Sequence, residues 1–134
     1  MKVILDSTAI IHHYKNFGKL NNLLNQHNVS SFCTTKINYL EILAGAENNA
    51  KVEIRKMLNL FELLHFESKA IAVADKLAMQ NVVNKKNRKD FLIAAIAIAN
   101  NLPLVTQNDL DFHFPKLKVL TYDKNFNVIR KIFN

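Results

Sequence analysis

The segment from Asp90 to Ala99, Asp-Phe-Leu-Ile-Ala-Ala-Ile-Ala-Ile-Ala, constrains this chain most: nine apolar residues follow one carboxylate. Such a run predicts a helix, and a helix apolar nearly all round must be covered on every side. It is about half the ~18 residues of a membrane span. We therefore read it as buried inside a soluble protein, and expect no membrane partner.

The remaining apolar runs indicate what covers it. Lys2-Val3-Ile4-Leu5 is rich in β-branched residues and stops at Asp6-Ser7-Thr8, residues suited to capping a helix, so a buried strand feeds a helix there. A helix-like stretch, Leu20 to Gln26, precedes a second strand at 29–34, and Ile37 to Ala44 repeats its apolar residues at helical spacing. Asn48 to Leu60 continues helical, Leu63 to Phe66 predicts a third strand, and Ser68 is suited to cap a helix over Ala70 to Val83. Leu104 to Thr106 and Val119 to Thr121 read as further short buried strands. Strands alternating with helices imply an α/β fold, a parallel sheet with right-handed crossovers and helices on both faces. The chain has 134 residues, with 2 Gly and 2 Pro that do not cluster and no repeat or low-complexity tract, so one domain over residues 1–134 is expected.

Eighteen Lys and Arg against eleven Asp and Glu give a net charge of +7, a balance that attracts polyanions such as nucleic acid. The single cysteine, Cys33, has no partner for an internal disulfide. Together with the absence of a basic, apolar leader at Met1, this points to the cytoplasm. Cys33 and the five histidines are read as packing or surface residues. None of the histidines forms an i, i+4 pair, and His12 and His13, being adjacent, point in different directions on a helix.

Open parallel sheets bind ligands at the carboxyl ends of their strands. Asp6 ends the first strand there, and Asp109 and Asp111 follow Leu104 to Thr106 to the same edge. Asp90 opens the buried helix, either as its cap or as a carboxylate projected into a pocket from a rigid element. Glu41 lies four residues before Gly45, which either leaves open space above that carboxylate or ends the helix. Two carboxylates ~4 Å apart repel by roughly 4 kcal/mol at an effective dielectric of 20, a large share of the ~5–15 kcal/mol that holds a domain together. Gathering them therefore requires raised pKa values or a hard cation. All-oxygen ligands suit Mg²⁺ or Mn²⁺. The run Lys85-Lys86-Asn87-Arg88-Lys89 abuts Asp90 and is either a solvated loop or a rim that holds nucleic-acid phosphates.

In order, Asp6-Ser7-Thr8, Glu41 with Gly45, Asp90-Phe91-Leu92-Ile93-Ala94-Ala95 and Thr106-Gln107-Asn108-Asp109-Leu110-Asp111-Phe112 resemble the PIN-domain ribonucleases, and among them the VapC toxins of type II toxin–antitoxin modules. The resemblance implies a three-layer α/β/α sandwich with a short parallel sheet, an acidic cluster holding Mg²⁺ or Mn²⁺, and endonucleolytic cleavage of RNA by a water that the cation acidifies. By it Asp6, Glu41 and Asp90 are catalytic and metal-binding, while Ser7, Thr8 and Thr106 orient carboxylates. The fourth acidic slot carries Asn108, a possible carbonyl ligand, and either Asp111 or Asp109 restores the charge, with Asp111 preferred. The resemblance also implies homodimers and a small antitoxin that blocks the site. Two other readings stay open: a PIN-like RNA-processing nuclease that is not a toxin, and a basic, non-catalytic nucleic-acid-binding α/β module. A phosphorylation receiver domain fits poorly, because no Asp follows the Leu63 to Phe66 strand.

Overall fold

The computed structural model describes residues 1–26 and 28–133. His27, one of the histidines read as a packing or surface residue, lies outside the described residues. Six strands form one sheet in the order β3-β2-β1-β4-β5-β6, namely β1 (Lys2–Leu5), β2 (Ser31–Thr35), β3 (Glu62–Leu64), β4 (Leu104–Val105), β5 (Lys118–Tyr122) and β6 (Val128–Phe133). The first five run parallel, while β6 pairs antiparallel with β5.

Because side chains alternate across a strand, each central strand feeds two cores. Val3 and Leu5 face one core and Ile4 the other; Leu120 and Tyr122 separate from Val119 in the same way. The first core takes residues from α1 (Ser7–Lys15), α2 (Lys36–Gly45) and α3 (Lys51–Leu58). The second takes residues from α4 (Ser68–Met79) and α5 (Phe91–Asn100). The result is the expected helix–sheet–helix sandwich. In α5, Ile93 to Ala97 are buried, and Phe91, Leu92 and Ile98 pack against the second core, as an all-apolar helix requires. Among the described residues no helix is long and apolar enough to cross a membrane.

One local expectation differs, one pair of open alternatives resolves, and one strand carries no sequence signal. Leu20 to Gln26 lies in a 3₁₀ segment, Lys19–Asn25, and not in an α-helix. Gly45 is the last residue of α2 and has no left-handed backbone, so it is not a terminating glycine; an added Cβ there would meet nothing within 4 Å. The antiparallel β6 carries no apolar alternation strong enough to read, because its residues are mostly exposed on an edge strand.

A candidate active site at the carboxyl edge of the sheet

The sheet register builds the site. Leu5 of β1 lies beside Val105 of β4, so the residues that follow, Asp6 and Thr106, emerge together. Thr106 Oγ1 donates to Asp6 Oδ2 at 2.8 Å, and Asn38 Nδ2 donates to Asp6 Oδ1 at 3.0 Å. Both carboxylate oxygens are thereby fixed. Asp6 stands at the N-cap position of α1 without making a side-chain capping bond, because its carboxylate faces these two partners.

Asn38, fully buried on α2, is the hub of this arrangement. Its amide also donates to Ser7 Oγ at 2.9 Å, while its own carbonyl oxygen accepts from Thr35 Oγ1 at 2.7 Å. Thr35 in turn caps α2 by accepting from the Asn38 backbone N–H at 3.0 Å, an arrangement worth about 1 kcal/mol. Neither Thr35 nor Asn38 stands out in the sequence. The available signal is a lone amide on an otherwise apolar helix face, three residues before Glu41. Thr8 Oγ1 lies 3.4 Å from Thr106 Oγ1 and accepts from the Gln107 backbone N–H at 3.2 Å, tying α1 to the end of β4.

Asp90 is likewise at an N-cap position without a side-chain capping bond. It is 7% exposed, and its Oδ2 is buried without a hydrogen-bond partner among the described residues. Burial, followed by repulsion from Asp6, Asp111 and Glu41, pushes its carboxyl up to about 6, against the attraction of Lys89. Burial also holds Asp6 above the ordinary carboxylate range, partly offset by its hydrogen bonds and by Lys89. Glu41 is raised by burial of its carboxyl and by Asp6, although the residue keeps an exposed position on α2. The four acids Asp6, Glu41, Asp90 and Asp111 thus share one electrostatic field.

The three candidates for the fourth position separate. Asn108 Nδ2 donates to Asp111 Oδ2 at 2.7 Å, and its backbone N–H donates to Thr106 Oγ1 at 3.0 Å. Asp109 is buried and pairs with Arg130 of β6 at 3.2 Å. Asp111 is the acid that acts on Asp90, and its Oδ1 is a second buried oxygen without a partner among the described residues. Of the basic run, Lys89 reaches the field of Asp6, Glu41 and Asp90, while Lys85, Lys86 and Arg88 are exposed in the preceding turns. Asn87 is buried: its Oδ1 accepts from the Asn84 backbone N–H at 2.8 Å and its Nδ2 donates to the Val82 carbonyl at 3.0 Å, which shapes the loop.

In donor type and charge the acids fit a hard dication, and Asp90 Oδ2 and Asp111 Oδ1 are buried without a hydrogen-bond partner among the described residues. As the side chains stand, no group of three or more Asp, Glu, His or Cys among the described residues is close enough to enclose an ion. His12 and His13 are engaged elsewhere. His12 Nε2 lies 2.8 Å from the Lys124 carbonyl oxygen, and His13 stacks on Phe17. Cys33 is buried in β2 with its thiol pushed up to about 12 by burial.

A mostly parallel sheet between two helical layers, with acidic residues at its carboxyl edge, defines an open-sheet α/β domain. The chain belongs to the PIN domain family, whose model matches residues 3–117. Among solved structures, a chain of VapBC2 from Rickettsia felis bound to a DNA fragment from its promoter superposes with a TM-score of 0.72 at 21% identity, covering 92% of this chain and 100% of that one. A chain of DNA-bound VapBC from Salmonella typhimurium gives 0.72 at 22% identity, covering 90% and 98%. A chain of FitAcB from Neisseria gonorrhoeae gives 0.58 at 18%, covering 84% and 91%. Comparison with curated proteins finds no match.

Proposed function

We propose that this chain acts as one domain, a metal-dependent endoribonuclease that is the toxin of a type II toxin–antitoxin module. The observation that carries this reading is the Asp6 carboxylate, clamped at both oxygens by Asn38 and Thr106, in the electrostatic field of a buried Asp90 whose Oδ2 has no hydrogen-bond partner among the described residues. A protein does not build and immobilise such repulsion at a sheet edge unless something binds there. Asp6, Glu41, Asp90 and Asp111 would hold Mg²⁺ or Mn²⁺. When bound, the cation supplies an acidified water and positive charge for the phosphoryl and leaving oxygens.

The protein's own groups do the rest. Asn38 and Thr106 donate to Asp6, orienting it and favouring its ionised form against burial. Ser7 accepts from the Asn38 amide, Asn108 donates to Asp111, and Thr8 holds the turn after β4 against α1. Lys89 offsets the negative field, and with Lys85, Lys86 and Arg88 it offers cations to RNA phosphates beside carboxylates that would repel them. The partners of this reading are RNA, a second copy of the chain in a homodimer and a cognate antitoxin, and its compartment is the cytoplasm. Complexes with antitoxins among the structural neighbours support the antitoxin partner.

The test is cleavage of single-stranded RNA by the purified protein with Mg²⁺ or Mn²⁺, with chelator, and in the Asp6→Asn variant. Cleavage that needs the cation and Asp6 supports the proposal. Activity equal in all three conditions, or none under any, overturns it. Growth arrest on expression, relieved by a short reading frame encoded next to this one, assigns the toxin role; unimpaired growth removes that part alone.

A further inference from the structure

The edge strand β6 lies beyond the 3–117 stretch that matches the family, yet one of its residues reaches back into the site region. Arg130 Nη2 meets Asp109 Oδ2 at 3.2 Å; the Asp109 side chain is 8% exposed and that of Arg130 is 56% exposed. Asp109 begins the single 3₁₀ turn that ends in Asp111. That turn is otherwise held by Asn108, whose side chain donates to Asp111 Oδ2 and whose backbone N–H donates to Thr106 Oγ1, the hydroxyl that also clamps Asp6. Among the described residues Arg130 is the one cation in an ion pair with this turn.

We infer that Arg130 is a positioning residue: through its ion pair with Asp109, β6 fixes the turn that aims Asp111 at Asp90. The inference rests on the nuclease reading for its functional consequence. The physical requirement is that a short 3₁₀ turn, with its few internal hydrogen bonds, cannot alone hold one carboxylate against the repulsion of another. Asp109 buried without a cation would also be costly. An anchored Asp109 leaves Asp111 one direction in which to project. The lone carboxylate surplus of Asp-Leu-Asp is thereby divided, the first member anchoring the turn and the second facing the site.

The test compares wild type with Arg130→Met, Arg130→Lys and Asp109→Asn, each checked for cooperative melting. In the metal-free protein, the Asn108 side-chain amide protons report by NMR on the bond to Asp111. Calorimetry with Mn²⁺ alone and steady-state cleavage of RNA follow. The expected result is a shifted Asn108 amide signal in Arg130→Met, Mn²⁺ affinity and kcat lowered about 10-fold with KM little changed, and partial recovery in Arg130→Lys. Asp109→Asn, which keeps an acceptor for Arg130, should fall between. If Arg130→Met melts lower but keeps the wild-type Asn108 signal, Mn²⁺ affinity and kcat, the pair is only stabilising and the inference is wrong. Should Arg130→Met not fold, Arg130→Gln takes its place, and an unchanged Asn108 signal, Mn²⁺ affinity and kcat in that variant would overturn it equally. Because the Asn108 signal is read without metal or RNA, failure of the nuclease reading leaves the positional claim testable by itself.

Discussion

Thr106 donates its hydroxyl proton to Asp6 Oδ2 at 2.8 Å across a hundred residues of sequence. The pair exists because β1 and β4 are parallel neighbours in register, so the first residue past each strand lands at the same height. Asn38 completes the clamp from α2. Preorganisation of this kind is what a reacting centre needs, since a carboxylate free to rotate would lose orientation each time it bound a cation.

Asp6→Asn and Asp90→Asn should each lower RNA cleavage by at least about 100-fold, because each removes a ligand charge. Asp90→Asn should also raise the melting temperature of the metal-free protein by about 4 °C, since repulsion from Asp6, Glu41 and Asp111 is relieved and its Oδ2 has no hydrogen bond to lose. Asp6→Asn should bring no such gain, because its amide would meet the Asn38 or Thr106 donor. Calorimetry and an RNA cleavage assay with Mn²⁺ check both. Undiminished activity in the two variants would remove these residues from the site.

The metal-free protein should respond to pH in a defined direction. The Asp90 carboxyl stands at about 6 in the fold against 3.8 in the unfolded chain. Between those values the folded state holds a proton that the unfolded state has released. Its contribution to stability is thus fully present below about 3.8 and lost as pH rises through about 6. The melting temperature of wild type relative to Asp90→Asn should therefore rise from pH 7.5 to pH 4.5. A difference independent of pH would show that Asp90 titrates normally.

Asn38→Ala should destabilise the fold by about 1–3 kcal/mol, since the buried Asp6, Ser7 and Thr35 groups lose a partner at once. Cleavage should fall about 10-fold even where the variant remains folded. Urea unfolding and single-turnover kinetics measure the two effects. Loss of stability with an unaltered rate would make Asn38 a structural residue only.

Changing Lys85, Lys86, Arg88 and Lys89 together to Ser should weaken RNA binding. The salt dependence should flatten by roughly 0.7 log unit per lost single-strand phosphate contact. Lys89→Gln by itself should raise the Asp90 carboxyl further, because Lys89 is the cation that holds it down. Carboxyl-carbon NMR titration reads this, and binding measured at several salt concentrations reads the former. An unchanged slope would make the run a solvated loop.

The sequence alone determined the layers of this protein. The β-branched apolar run of Lys2–Leu5 and the apolar residues 91–99 are local patterns, and burying them leaves little choice but a sheet between helices. It also placed Asp6, Asp90 and Asp111 at element boundaries, because strand ends and helix starts can be read from hydrophobic pattern. The identity of their partners was not legible. Thr106 with Asp6, Asn38 with Asp6 and Arg130 with Asp109 are joined by strand register and helix packing over long sequence separations. No local propensity encodes such pairs. The anchoring of Asp109 depends on an edge strand whose exposed residues carry no hydrophobic signal. The fold's layers are a matter of which residues avoid water; the site's geometry is a matter of which distant residues those layers bring within hydrogen-bonding reach.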